Sequence, residues 1–433
     1  MSGGEFSLIF LVAFFICLAF SIPVTFSLGA CGMLILFISS APPSILIKSM
    51  MSPFESYTLY ALFLFTMMGC VFAKTGIARL LIDALKPIIR RVKGGLAVLA
   101  VLSSAGFSTL TGSANATCAT ISKLLGPIMM EEDYPGDFAA ATIAAASPLG
   151  QLIPPSTTCI VLGASMGISV GTMFMVDLSI GLIVTVLLSL LVYIISARRH
   201  FGVNVEKSGL REILKSSLKA LPLLSAPIVV LGGLYSGIFT ATEAGAVGAA
   251  HSLLLAICYR RLTLKLFFEV IADTAATTAM VMMVISASYI VSATMSLTGI
   301  TTAFVKFLVS MSSTSVYPGL TFLVIMLLIT GMFIDLTSLC IVLAPAAALA
   351  LVPLGVNVYH LASIFLVTDL IGIITPPVGI ALFTASQVMG RKVLDVTREV
   401  IPYIGLYCIV TFALIFIPDM TLWVPKLLGM NLR

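Results

Sequence analysis

The sequence predicts an all-α polytopic membrane protein made of two inverted-topology repeats, each with one re-entrant hairpin and one discontinuous helix. Three observations lead there. The chain is 60% hydrophobic and only 9% charged, with a mean hydropathy of +1.17 over 433 residues, so most of it must be solvated by lipid. Three stretches recur half a molecule apart in one register: 111–128 (TGSANATCATISKLLGPI) with 330–347 (TGMFIDLTSLCIVLAPAA), 147–164 (SPLGQLIPPSTTCIVLGA) with 369–386 (DLIGIITPPVGIALFTAS), and Thr75-Gly76-Ile77 with Thr298-Gly299-Ile300. Both copies place Gly, Pro, Ser and Thr where a membrane helix normally carries Leu. Interrupted segments at corresponding places in two halves are the sequence sign of a transporter binding site.

The elements follow in chain order. Glu5 precedes the first apolar run and no Lys or Arg occurs before Lys48, so the charged start of a secretory signal is missing and the run should stay as an anchor. Residues 6–40 should hold two helices broken near Pro23. Charge-free stretches at 6–47, 56–73, 178–197 and 400–418 are each long enough for at least one span of about 20 residues. The longest polar connection, 198–219, is too short to bury a core of its own. Any soluble receptor must therefore be another chain. Repeat halves of 1–219 and 220–433 are expected.

Orientation comes from cations, which concentrate in short cytoplasmic loops. They cluster at 86–93, 198–219, 260–265 and 391–398. Residues 94–122 carry no charge, yet both flanks look cytoplasmic and two full crossings need about 40 residues. A re-entrant hairpin satisfies both conditions. The equivalent segment of the second half is flanked by 310–318 and 353–360, which lack Lys and Arg, so its hairpin should enter from the opposite side. The runs 77–93, rich in cations, and 300–313, with Lys306 alone, read as interfacial helices on opposite faces.

The breaks carry the chemistry. In GQLIPPS (150–156) and GIITPPVG (372–379), Gly permits unusual dihedrals and paired prolines remove amide donors, freeing carbonyls that hydrocarbon cannot satisfy. Oxygen-only surroundings at negative helix ends suit a hard monovalent cation such as sodium. The hairpin tips, 108–113 and Thr330-Gly331, add carbonyls and hydroxyls. An anion would sit between them, against helix N-termini and donors such as Ser113, Asn115 and Thr117. Small residues and proline kinks also serve helix packing, but two aligned copies with opposite charge flanks favour a site.

Carboxylates in apolar context are functional candidates. Asp335, just past Gly331, is the first choice for ion or substrate contact, with hairpin-stabilising hydrogen bonds as the other role. Asp369 lies shortly before the second break and fits either role. Glu243 should cap a helix start after Thr240 or Thr242. Asp177 and Asp273 lie nearer segment ends. The eight cysteines are scattered singly, as packing residues, and the three histidines show no metalloprotease spacing. No phosphate-cradling Walker motif is visible. An intramembrane enzyme using Asp335 and Asp369 as an acid–base pair is the weaker alternative to transport.

The blocks GPIMMEEDYPGDFAAATIAAASPLGQLIPPS (126–156), GLYSGIFTATEAGAVGA (233–249) and the segment from Gly331 through IGIITPPVGIALF (371–383) resemble the large membrane subunit of tripartite ATP-independent periplasmic (TRAP) transporters. The resemblance spans essentially the whole chain. It implies an elevator-type, sodium-driven importer of organic anions in the bacterial inner membrane, with no organic cofactor. A mobile transport domain would carry both hairpins and both broken helices against a scaffold. A separate periplasmic binding protein would deliver substrate, and a small membrane subunit would enlarge the scaffold. By motif it implies a first sodium site at Ser108, Thr109, Gly150, Ile153 and Pro155, and a second at Gly331, Gly372, Thr375 and Val378, largely through backbone oxygens. Residues 286–298 offer no Arg or Lys to anchor a substrate carboxylate, which leaves C4-dicarboxylates, sialic acid, other carboxylates and sulfonates as substrate classes. A single-component sodium/anion symporter of the same superfamily is the alternative.

Overall fold

The computed structural model describes residues 3–77, 79–89, 94–202, 210–430 and 432. Helices α1 (Gly3–Ala19) and α2 (Val24–Ile38) are divided at Pro23, as expected from its missing amide. After α3 (Pro43–Met51), α4 (Tyr60–Thr75) stops at Gly76, which takes a left-handed conformation at φ 66°. The short helix α5 (Arg79–Ile89) follows. Arg90, Arg91 and Lys93, and the part of the 198–219 cluster at 203–209, lie outside the described residues.

Helices α6 (Gly95–Thr111) and α7 (Ala114–Glu131) form the first hairpin, turning at Gly112 with φ 59°. The first broken helix is α8 (Gly136–Ala146), a short α9 (Leu149–Leu152), a non-helical stretch and α10 (Thr157–Met166); α11 (Val170–Arg199) closes the half. The second half repeats the plan. Helices α12 (Leu210–Tyr235) and α13 (Ala241–Cys258) lead into α14 (Leu264–Leu297) and the short α15 (Ile300–Met311). A second hairpin, α16 (Val316–Gly331) and α17 (Leu336–Leu351), precedes a second broken helix, α18 (Val358–Ile374) and α19 (Ile380–Val388), then α20 (Val393–Phe416) and a terminal α21 (Asp419–Leu427).

The halves are interlocked by exchange. Helix α4 packs on α13 while its counterpart α14 packs on α2; α10 packs on α17 while α19 packs on α7; α8 packs on α20 while α18 packs on α11. Each pair becomes the other when the halves are swapped, which is what a pseudo-two-fold relation requires.

The repeats are inverted, as the ends of α20 show. Its start is tied to the end of α11 by Arg199 Nη1 to Glu399 Oε2 at 2.6 Å. The base of the first hairpin is at that same end, where Gly94 donates its N–H to the Gly202 carbonyl at 3.5 Å and lies on Ser196 so closely that a Cβ would come within 2.6 Å of the serine Cβ. The base of the second hairpin is at the other end, with the Tyr317 and Phe416 rings 5.3 Å apart. Glu399 and Phe416 are about 26 Å apart along the helix axis. The hairpins therefore enter from opposite sides.

Small residues let the central helices approach. Ala139, Ala140, Ala141, Ala144, Ala145 and Ala146 of α8 are completely buried, against α6, α7, α19 and α20, the packing that small side chains permit in lipid. Polar contacts pin the same layer. Tyr403 shares a hydrogen bond with Thr142 at 2.8 Å, and the Tyr407 hydroxyl donates to the Ala145 carbonyl at 2.6 Å. Elsewhere Lys74 of α4 pairs with Asp273 of α14 at 2.6 Å, and Glu243 completes a capping box with Thr240 at the start of α13, the role its sequence context indicated.

Candidate functional site

Both hairpin tips press bare backbone against the breaks. In the first half, the Gly112 carbonyl accepts from the Thr157 N–H at 3.3 Å and from the Thr157 hydroxyl at 3.1 Å. A Cβ on Gly112 would collide with the Pro155 carbonyl oxygen, and one on Gly150 would lie 2.8 Å from the carbonyl carbon and oxygen of Ser113. In the second half, a Cβ on Gly372 would lie 2.5 Å from the Gly331 carbonyl oxygen. Glycine is required at these contacts because no side chain fits between the two backbones. The double prolines carry cis bonds in both copies, Pro154-Pro155 and Pro376-Pro377.

The structure gathers Gly150, Pro155, Ser113 and the end of α6 around the first tip, and Gly331 and Gly372 around the second. Ser108 is buried and donates to the Ser104 carbonyl, while Thr109 donates to the Gly106 carbonyl at 2.7 Å. Ile153 ends α9 and packs against Gly181 of α11. Thr375 ends α18 and donates its hydroxyl to the Ile371 carbonyl at 2.6 Å. Ser113 caps α7, accepting from the Ala116 N–H at 3.5 Å. Thr117 turns inward to Thr111 at 3.1 Å and is fully buried within the hairpin.

Between the tips and breaks lies a cavity of about 290 Å³. Four helices begin on its wall: α7 at Asn115, α10 at Thr157 and Thr158, α17 at Leu336 and Thr337, and α19 at Ile380. Unsatisfied N–H groups and the helix dipole make the starts of α7, α10 and α19 electropositive, whereas the Asp335 carboxylate sits on the start of α17. Helix C-termini reach the same space at Gln151, Gly331 and Gly372, and Asp335 and Asp369 border it. One small space thus offers positive poles for an anion and carbonyls with carboxylates for a cation. Val378 lines the cavity as well.

Asp335 caps α17, taking the Ser338 N–H at 3.2 Å on Oδ2 and the Ser338 hydroxyl at 2.9 Å on Oδ1. The cavity-lining and hairpin-stabilising roles therefore coincide in this residue. Sequence reasoning missed the far wall, Met280, Val281 and Val284 of α14, because nothing in an apolar helix marks which turn faces a cavity. It also missed Gln151, whose polarity inside a break was the available signal.

The caps give a direct check. Ser156 is completely buried and accepts from the Cys159 N–H at 3.3 Å to start α10. Ser156→Ala should destabilise the protein by about 1 kcal/mol, read as a lower unfolding temperature in detergent.

Comparison with known proteins agrees with this architecture. The family model "Tripartite ATP-independent periplasmic transporter, DctM component" matches residues 11–420. The chain is 33% identical over 410 residues to the C4-dicarboxylate TRAP transporter large permease protein DctM of Pseudomonas aeruginosa, covering 94% of this chain and 95% of that protein. It is 31% identical to the 2,3-diketo-L-gulonate TRAP transporter large permease protein YiaN of Escherichia coli, with 93% and 95% covered. It is 29% identical to the isethionate TRAP transporter permease protein DctMQ of Oleidesulfovibrio alaskensis, with 93% of this chain and 63% of that longer protein covered. These relatives are transporter permeases, not enzymes. The crystal structure of the Alcanivorax borkumensis YdaH transporter shares the fold at a TM-score of 0.57 and 16% identity, with 88% of each chain covered. With the family model spanning nearly its whole length, the chain belongs to the tripartite ATP-independent periplasmic transporter family, as its DctM component.

Proposed function

We propose that this chain is the large permease of a sodium-driven importer of a small organic acid anion in the bacterial inner membrane. The observation that carries the reading is the convergence of four helix N-termini on a cavity also bordered by helix C-termini and two carboxylates. An anion at the N-termini of α7, α10 and α19 gains three favourable dipoles in a place where lipid and protein screen little. Asn115 on the cavity wall stands beside it as a donor, with Ser113 at the adjoining cap of α7.

Sodium ions fit the carbonyl side. A first is assigned to Ser108, Thr109, Gly150, Ile153 and Pro155 and a second to Gly331, Gly372, Thr375 and Val378. With both ions in place, the hairpin tips would be fixed against the breaks and the anion slot completed. The slot, with its hairpins and broken helices, would then move as one body past a scaffold that includes α2, α4, α13 and α14. Each charge carried down the membrane potential is worth about 2.3 kcal/mol per 100 mV, so no nucleotide is required.

Relatives named for C4-dicarboxylate, diketogulonate, isethionate and sialic acid support a small carboxylate or sulfonate as substrate. A periplasmic binding protein would select and deliver it, with a small membrane subunit completing the scaffold. The test is uptake into proteoliposomes holding all three components. Uptake should fall to background when sodium is equal on both sides at zero potential, and should proceed without ATP. Uptake indifferent to sodium would reject the proposal.

A further inference from the structure

One buried carboxyl has no part in the cavity. Asp177 lies about two turns into α11 and is completely buried. Its Oδ2 accepts from the Cys159 thiol of α10, while its Oδ1 has no hydrogen-bond partner. The Cys159 thiol also reaches the Gln151 carbonyl at 3.6 Å. Two further oxygens of this neighbourhood are buried without a partner: Gln151 Oε1, and the Tyr235 hydroxyl of α12, which lies within electrostatic reach of both Asp177 and Cys159.

The described surroundings offer an ionised carboxylate no counter-charge. Among the described residues no Lys, Arg or His pairs with Asp177. The titratable groups within electrostatic reach of it are Cys159 from α10, Tyr235 from α12 and Cys340 from α17, the last also within reach of the Asp335 and Asp369 carboxylates. Of the other helices on α11, α6 and α9 carry no titratable residue. On α20, Glu399 is engaged with Arg199 at the far end of α11, and Tyr403 and Tyr407 are bonded to α8. On α18, His360 is bonded to Thr421 of α21, and on α21 Asp419 and Lys426 pair with each other at the surface. A charge left unpaired in such a place is strongly disfavoured. One proton on Oδ1 removes the charge and turns an orphaned acceptor into a donor.

The position gives that proton a route. Gln151 and Cys159 belong to the first broken helix and Asp177 to α11, which packs on it, whereas Tyr235 comes from α12. Tyr235 and Met175, two residues before Asp177, line a second cavity of about 480 Å³ between the start of α11 and the loop from α12 to α13. Tyr235 thus stands within electrostatic reach of Asp177 from a helix that is no part of the first broken helix.

We propose that Asp177 is a proton site that loads from one compartment and unloads into the other, making a proton a further coupling ion of this transporter. The inference rests on the movement described under the proposed function, since that motion would part Asp177 from Tyr235. Loading forms one O–H bond at Oδ1 with a proton from hydronium and leaves water; unloading returns that proton to a water molecule. No electrons move.

The experiment is infrared spectroscopy of the full chain in liposomes with its partner subunits at neutral pH, because a protonated carboxylic acid shows a C=O stretch that a carboxylate lacks. The wild type should show this band, Asp177→Asn should lose it, and transfer to D2O should shift it as the proton exchanges. Cys159→Ser should move the same band, since a hydroxyl replaces the thiol on Oδ2, and this secures the assignment if the Asn variant does not fold. A spectrum unchanged by both substitutions overturns the proposal, as does a band that never exchanges in D2O, which marks a sealed structural acid. Sodium-induced thermal stabilisation of the same preparations separates the two readings: its absence in the wild type removes sodium coupling, whereas the infrared result bears on Asp177 alone.

Discussion

Gly372→Val should reduce sodium-driven uptake at least 100-fold while leaving the protein folded and monodisperse. At this position the first added atom would already be 2.5 Å from the Gly331 carbonyl oxygen and 3.0 Å from its carbon. The opposing group is backbone and cannot rotate away, so the second hairpin tip must lift off the break. The damage falls on the two carbonyl segments assigned to the second sodium ion, and a displacement of about 1 Å at such a site is enough for a loss of this size. Valine rather than alanine removes any chance of partial accommodation. The variant should also lose the sodium-induced rise in unfolding temperature. Gly405 in α20 is the control, because a Cβ there meets nothing within 4 Å; Gly405→Ala should transport normally. Full uptake by Gly372→Val would mean that contact between tip and break has no role in ion binding.

Asp369→Asn should raise the sodium concentration needed for half-maximal uptake by one to two orders of magnitude. Asp369 is almost completely buried, lines the cavity and lies one turn before Gly372, with Oδ1 4.0 Å from where a Gly331 Cβ would be. A negative charge about 5 Å from a cation at an effective dielectric constant of about 20 contributes about 3 kcal/mol, which corresponds to a factor of about 100. Asparagine keeps the shape and removes the charge. The sign separates two roles for this carboxylate. If it serves the cation, its neutralisation weakens sodium binding; if its main effect is repulsion of the anionic substrate, neutralisation leaves sodium dependence intact and tightens substrate binding. Sodium titrations by thermal shift, with and without substrate-loaded binding protein, distinguish the outcomes.

Much of this architecture was legible before any coordinates. Proline at position 23 divides α1 from α2, Gly76 and Gly299 close α4 and open α15, and the double prolines at 154–155 and 376–377 fall in the non-helical stretches of the two broken helices. These are local effects: a missing amide or a left-handed residue stops a helix whatever surrounds it. The charge asymmetry between 77–93 and 300–313 gave the opposite entry of the hairpins, because loop cations follow orientation across the membrane. Asp335 was legible as a hairpin-stabilising residue for the same local reason, whereas Ser113, read from the sequence as a donor to the anion, caps α7.

The remainder required tertiary contacts. Nothing in the sequence distinguished Thr117, folded back on Thr111, from Asn115, two residues away on the cavity wall; helical periodicity places both near the tip, and only the packing of α7 against α19 and α8 decides which faces the cavity. Asp177 read as a residue near a segment end, yet it is completely buried and bonded to Cys159 of α10. The sequence by itself determined where helices stop, which segments repeat and which end of each hairpin meets the cytoplasmic charges, since those properties are set within a few residues of chain. The tertiary structure alone decided that four helix starts and two carboxylates share one small cavity, because that depends on the exchange of partners between halves, and the energy of burial follows from which surfaces meet rather than from their order in the chain.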